Sequence, residues 1–161
     1  MTSPLRIPME RRLARKTLST ICGVRTLCEA DREDLAILLY AAYRGTVDFD
    51  GETFRDARAE IDRLFDGTYG RLLPGCSFLF EEGDFLASAC LVTWWSPHEA
   101  PLVAFAMTQP EARRRGYARH LLQTSMNALF DRGYRRLTLI VTDGNEPAQA
   151  LYQSLGFRKM Q

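Results

Sequence analysis

The stretch MTQPEARRRGYARHLL, residues 107–122, decides the fold of this chain. It follows the apolar run PLVAFAMT, which reads as a strand, and it leads into a segment where Ala118, Leu121, Leu122, Met126, Leu129 and Phe130 recur at the spacing of a helix with one buried face. Gly133 marks the end of that helix. Between strand and helix lie Pro110, three consecutive arginines and Gly116. The first turn of any helix presents amides with no intrahelical partner and carries about half a positive charge. With Arg113, Arg114, Arg115 and Arg119 around it, this turn is suited to hold an anion such as a pyrophosphate. Gly116 and Ala118 are small, so main-chain nitrogens are open to close approach.

Working outward, ICGVRTL reads as a strand, and EADREDLAILLYAAY follows as a helix with Asp31 placed as its N-cap. A glycine- and acid-containing loop, YRGTVDFDGET, separates it from a second helix that carries Phe54, Ala57, Ile61, Leu64 and Phe65 on one face. SFLFEEGDFLASACLVTWW reads as a hairpin turning at Gly83-Asp84. Trp94 and Trp95 point to opposite faces of its second strand, so one belongs to the core and the other can line a cleft. Beyond the arginine turn, RLTLIVT is a strand and NEPAQALYQSLGF a short closing helix. One mixed α/β domain over residues 20–161 accounts for these elements. Residues 1–19, with five basic side chains against Glu10 and two prolines, read as a basic, poorly ordered arm.

Composition limits the function classes. A chain of 161 residues, 46% hydrophobic and 25% charged, can bury one sizeable core. A net charge of +1 offers nucleic acid little to hold, so nucleic acid is not an expected partner, and no apolar run reaches the roughly 20 residues that span a bilayer. Cys22, Cys28, Cys76 and Cys90 lack the spacing of a zinc site or a redox pair, and His98 and His120 have no second ligand at metal spacing. Reduced thiols and the absence of a secretory leader point to the cytoplasm, with no metal.

The spacing Arg-x-x-Gly-x-Ala at Arg113, Gly116 and Ala118, with Pro110 before it, resembles the acyl-CoA pyrophosphate loop of the GNAT superfamily of N-acetyltransferases. A second motif of that family stands downstream at Asn145 and Tyr152. The resemblance runs from about residue 21 to the end of the chain. It implies a mixed, mostly antiparallel twisted sheet flanked by about four helices, with a V-shaped splay between the strands at residues 101–108 and 136–142. The co-substrate would be acetyl-CoA, its pantetheine arm slotting into the splay against main-chain groups of Ala106, Met107 and Thr108. The phosphates would lie on Arg113, Arg114, Arg115, Gly116, Tyr117, Ala118 and Arg119. An N–H near Met107 or Thr108 would polarise the acetyl carbonyl.

The same resemblance makes Tyr152 the acid that protonates the departing thiolate, although the apolar spacing of Ala148, Leu151, Tyr152 and Leu155 also reads as simple packing. Asn145 stands both where a helix cap is wanted and where the family's asparagine meets the coenzyme. Two features depart from the pattern. The glutamate base common in the family is replaced by Ile140, leaving Asp143, Asp48, Asp50, Glu52 or a relayed water for that task. Acids in the loop around Asp48 would favour a cationic acceptor. The chain also stops at RKMQ, where relatives continue with another strand. That edge would be missing, shortened or supplied by a second copy, and an open edge invites a homodimer. The expected activity is acetyl transfer to a primary amine by direct attack, with a catalytically silent CoA-binding sensor as the rival.

Overall fold

A computed structural model describes residues 3–161; the first two residues of the basic arm lie outside it. In chain order the strands are β1 (Arg6–Arg12), β2 (Val24–Thr26), β3 (Arg71–Leu72), β4 (Phe78–Glu82), β5 (Phe85–Trp95), β6 (Ala100–Thr108), β7 (Arg136–Thr142) and β8 (Arg158–Lys159). The helices are α1 (Arg32–Tyr43), α2 (Phe54–Phe65), α3 (Tyr117–Asp131) and α4 (Glu146–Ser154). The eight strands form one sheet in the order β2-β4-β5-β6-β7-β1-β8, with β3 paired to the far end of β5. All pairings are antiparallel except β6 with β7, which α3 connects. The mixed sheet and four helices agree with the expected fold class.

Two cores lie on opposite faces of the sheet. Leu35, Leu38 and Leu39 of α1 and Ile61 and Leu64 of α2 pack with Leu79, Leu91, Phe105 and Met107. Leu121, Leu122, Met126 and Leu129 of α3 pack on the other face with Ile7, Met9, Leu139 and Val141. Both faces of β5 are therefore covered, which is why its Leu86 to Thr93 run is buried without alternation. α2 begins in a reciprocal cap: Thr53 Oγ1 accepts from the Asp56 N–H and Asp56 Oδ2 accepts from the Thr53 N–H. Asp31 precedes α1 as expected, but its side chain does not cap that helix. It accepts instead from the Cys28 amide at 2.8 Å and from Arg25 at 2.7 and 2.9 Å, tying β2 to the start of α1.

The basic arm is where the sequence reading fails. Residues 6–12 form a strand that pairs along its full length with β7, Arg6 opposite Thr142 and Arg12 opposite Arg136, and β8 pairs on its other side. Ile7 and Met9 are buried in the α3-side core. Pro8 argued against such a strand, since a proline in a central strand removes a ladder bond. The phase of the ladder removes that objection. Asp143 donates to the Leu5 carbonyl and Leu13 to the Arg135 carbonyl, so odd-numbered residues exchange bonds with β7 and the nitrogen of Pro8 faces the other way. On that side its carbonyl accepts from the Met160 N–H. Of the alternatives for the end of the chain, the strand after the closing helix is present but shortened to the two residues of β8, and β1 from the beginning of the chain lies between it and β7.

Candidate active site

The arginine turn is built as the spacing predicts. Pro110–Ala112 form one 3₁₀ turn, Arg114 stands in the left-handed region at φ 65°, and Gly116 follows at φ 83° as the residue before α3. No side chain caps the helix, so its first amides point into the open. A Cβ at Gly116 would meet no atom within 4 Å. That empty space over unpartnered amides fits a diphosphate. Of the arginines, Arg114 is exposed, Arg115 reaches Glu82 at 3.0 Å, and Arg119 donates to Ser154 Oγ at 2.5 Å, joining α3 to α4. Arg113 is also exposed, but its Nη2 donates to the Ala42 carbonyl at 2.6 Å and ties the turn to the end of α1. Tyr117 stacks on Phe80, with centroids 4.2 Å apart, and Ala118 is half-buried beside it.

From this turn a gap runs between β6 and β7. The two strands pair only at Leu102 with Thr138 and Val103 with Leu139. Immediately after, the β5–β6 register shifts by one residue at Ala104, a bulge that bends β6 away from its neighbour. Gln109 donates to the Ala87 carbonyl at 2.8 Å, and that phase assigns Met107 and Phe105 to β5. The main-chain groups of Ala106 and Thr108 therefore face the gap, whereas those of Met107 face β5. Of the three residues expected to offer main-chain bonds, two are free to do so.

The gap opens on a cavity of about 830 Å³ bounded by β6, β7, α1, α2, α4 and the loop between α1 and α2. Tyr152, Asn145 and Ile140 line it, together with Asp48 and Glu52 from that loop. Asp143 is exposed and outside the wall, as is Asp50. Asn145 takes the helix-cap role expected of it and also reaches the loop between α1 and α2. Its Oδ1 accepts from the Ala148 N–H at 3.3 Å and caps α4, while its Nδ2 donates to Asp48 at 3.3 Å. Asp48 also accepts from Thr142 Oγ1 at 2.5 Å. Burial holds the Tyr152 phenol well above its ordinary range, with Cys90 and the charge of Asp48 adding to the effect. Tyr43 is raised in the same way by burial and by its neighbours Tyr152 and Asp48. Both hydroxyls are thus protonated at neutral pH and do not serve as bases.

Several lining residues escaped the sequence reading. Tyr43 closes the apolar helix segment EADREDLAILLYAAY, and nothing in its spacing singles it out. Arg6 sat in a segment read as unstructured. On α2, Asp56 and Glu60 turn toward the cavity; Tyr69 donates to Glu60, and Arg63 contacts it at 2.5 Å. Burial and Glu60 together push the Tyr69 phenol up to about 12. Spacing of four along α2 is the signal that links Asp56 with Glu60. Trp95 lines the cavity, as one of the pair was expected to, while Trp94 on the other face is half-buried against Tyr134 and belongs to neither core. His98 donates to or accepts from Thr138 through Nδ1 at 2.9 Å and takes no part in the cavity.

Comparison with known proteins agrees with this geometry. No curated protein matches the sequence closely enough to count as a relative. Among solved structures, a GNAT-family protein of Novosphingobium aromaticivorans is 21% identical with a TM-score of 0.64, covering 98% of this chain and 61% of its own. A GCN5-related N-acetyltransferase of Sphaerobacter thermophilus is 20% identical at a TM-score of 0.70, covering 98% of this chain and 50% of its own. The chain thus spans only about half to three fifths of those two proteins. The PaiA N-acetyltransferase of Thermoplasma acidophilum, solved in complex with coenzyme A, is 16% identical at a TM-score of 0.67, with 84% of this chain and 88% of its own covered. The family model described as the acetyltransferase (GNAT) family matches residues 34–157, a span that takes in the arginine turn, the splayed strands and the tyrosine helix, and the chain belongs to that family.

Proposed function

We propose that this protein transfers an acetyl group from acetyl-CoA to a primary amine by direct attack of the amine nitrogen on the thioester. The observation that carries the reading is the continuous path from the open amides at Gly116, along the unpaired edge of β6, to a cavity holding a protonated phenol. Along that path Gly116, Tyr117, Ala118 and Arg119 supply main-chain donors for the diphosphate, with Arg114 and Arg115 adding charge from the turn. Ala106 and Thr108 extend the edge of β6 to the pantetheine amides. The Thr108 or Ala106 N–H, aimed into the gap, polarises the acetyl carbonyl and holds the oxyanion as it forms. Arg113 ties the turn to the end of α1. Tyr152 donates its proton to the sulfur as the carbon–sulfur bond breaks, and its buried position keeps that proton available. Asn145 caps the helix that carries it.

Calorimetry with coenzyme A, paired with transfer assays on wild type and Tyr152→Phe, tests the reading. Wild type binds coenzyme A and releases free thiol in the presence of an amine. Tyr152→Phe binds with the same affinity and loses about 10²-fold or more in kcat, the usual worth of a positioned acid. Coenzyme A binding without turnover on any amine would identify a sensor instead, and no binding would remove the proposal altogether.

A further inference from the structure

We propose that Asp48, carried on the loop between α1 and α2, is the general base that deprotonates the acceptor amine. This rests on the transfer reading above and supplies the group absent at Ile140. An amine with a pKa of about 10.4 reaches the cavity as an ammonium ion and must lose a proton before it can attack. The phenols of Tyr43 and Tyr152, both protonated, cannot accept it. Of the four carboxylates on the cavity wall, Asp48 is the one bonded to β7 and α4. Glu60 is paired with Arg63 and Tyr69, Asp56 is engaged in the cap of α2, and Glu52 accepts from the Asp50 amide. Asp48 alone is held at the end of β7, where the gap meets the cavity.

Its position is fixed from two elements. Thr142, the last residue of β7, donates to Oδ1 at 2.5 Å, and Asn145 at the head of α4 donates to Oδ2 at 3.3 Å. A loop residue is thereby fastened to the strand and helix that also carry Tyr152. The charged and titratable groups facing it are Tyr43 from α1, Tyr152 from α4 and Arg6 from β1, with the α2 carboxylates and Arg63 further along the wall. The two phenols are neutral, so Asp48 is the negative charge of this group, with Arg6 the opposing charge beside it, and its free electron pairs can take a proton from an incoming ammonium.

The protons balance. The first ammonium proton passes to Asp48 and from there to water. The free amine forms the carbon–nitrogen bond, the carbon–sulfur bond breaks, and Tyr152 protonates the sulfur. A second proton leaves the attacking nitrogen during collapse and restores the phenol. The products are the amide, coenzyme A with its thiol protonated, and one proton in solution.

The experiment measures acetyl transfer from acetyl-CoA to spermidine, tyramine and kanamycin as a function of pH, and carries the fastest of the three into variants. Asp48→Asn is expected to lower kcat/KM about 10²-fold at pH 7 with coenzyme A affinity and melting temperature kept. The deficit narrows as pH rises toward 10, because more of the amine is already free. Thr142→Val removes only the orienting hydroxyl, and it is expected to lower kcat several-fold with KM within twofold. A deficit that stays constant from pH 7 to 10, or an Asp48→Asn enzyme within threefold of wild type at pH 7, overturns the proposal. Should Asp48→Asn fail to fold, wild-type kcat in Thr142→Val overturns it equally. Wild type that binds coenzyme A yet acetylates none of the three amines overturns the transfer reading, and the role of Asp48 with it.

Discussion

Gly116 shows how much one missing side chain contributes. Its φ of 83° is strained for any other residue, and the space above it is open, so nothing in the fold itself requires that space to stay empty. Gly116→Ala should therefore separate two effects. Melting falls by the equivalent of about 1 kcal/mol for the left-handed backbone, while affinity for coenzyme A falls tenfold or more because the methyl occupies the approach to the amides. Equal affinity in calorimetry would show that the diphosphate is held elsewhere. Asp31 gives a second residue-level outcome. Burial alone would raise its carboxyl, but hydrogen bonds from Arg25 and Cys28 outweigh that and hold it below its ordinary value. A lowered folded-state value stabilises the protein above the unfolded pKa and loses that contribution as the pH falls through the folded one. Asp31→Asn is expected to cost about 1–3 kcal/mol at pH 7 by chemical denaturation, with the gap to wild type closing below about pH 3.8. A gap that persists unchanged at pH 3 would mean that shape, not charge, is what Asp31 provides.

At the scale of elements, the sequence was readable wherever one period dominated. The α2 face, the hairpin at Gly83-Asp84 and α3 all emerge close to the expected bounds: the helices bury one face each, and the hairpin is marked by its turn residues even though β5 is covered on both sides. β1 was not readable, although Ile7, Met9 and Leu13 alternate as a buried strand face should. Two prolines and five basic residues masked that period, and only the ladder phase, a property of the partner strand, shows why Pro8 is harmless there. The two-residue β3 and β8 carry too few side chains for any pattern. Met9 measures what β1 contributes: it is 2% exposed in the α3-side core. Met9→Ala should cost about 2–4 kcal/mol in a denaturant melt. A cost below about 0.5 kcal/mol would mean that β1 is not part of the cooperative unit.

At the scale of the molecule, the division between what was legible and what was not follows chain distance. The arginine turn is local: seven consecutive residues hold its arginines and Gly116, and the strand–turn–helix order around it was legible from that window alone. The cavity is assembled from α1, α2, β1, β6, β7 and α4, and no window of sequence contains it. Asp48 could be named as one acid among several, but only the contacts with Thr142 and Asn145, nearly a hundred residues away, single it out. The placement of β1 between β7 and β8 has a further result during synthesis. Ribosomes add about 5–20 residues per second, so the first strand leaves the assembly line on the order of 10 s before the strand that will receive it. In that interval it is a bare ribbon with one greasy side. Pro8 and its flanking arginines, which look out of place in a finished sheet, are the features that keep a waiting strand from joining a stranger.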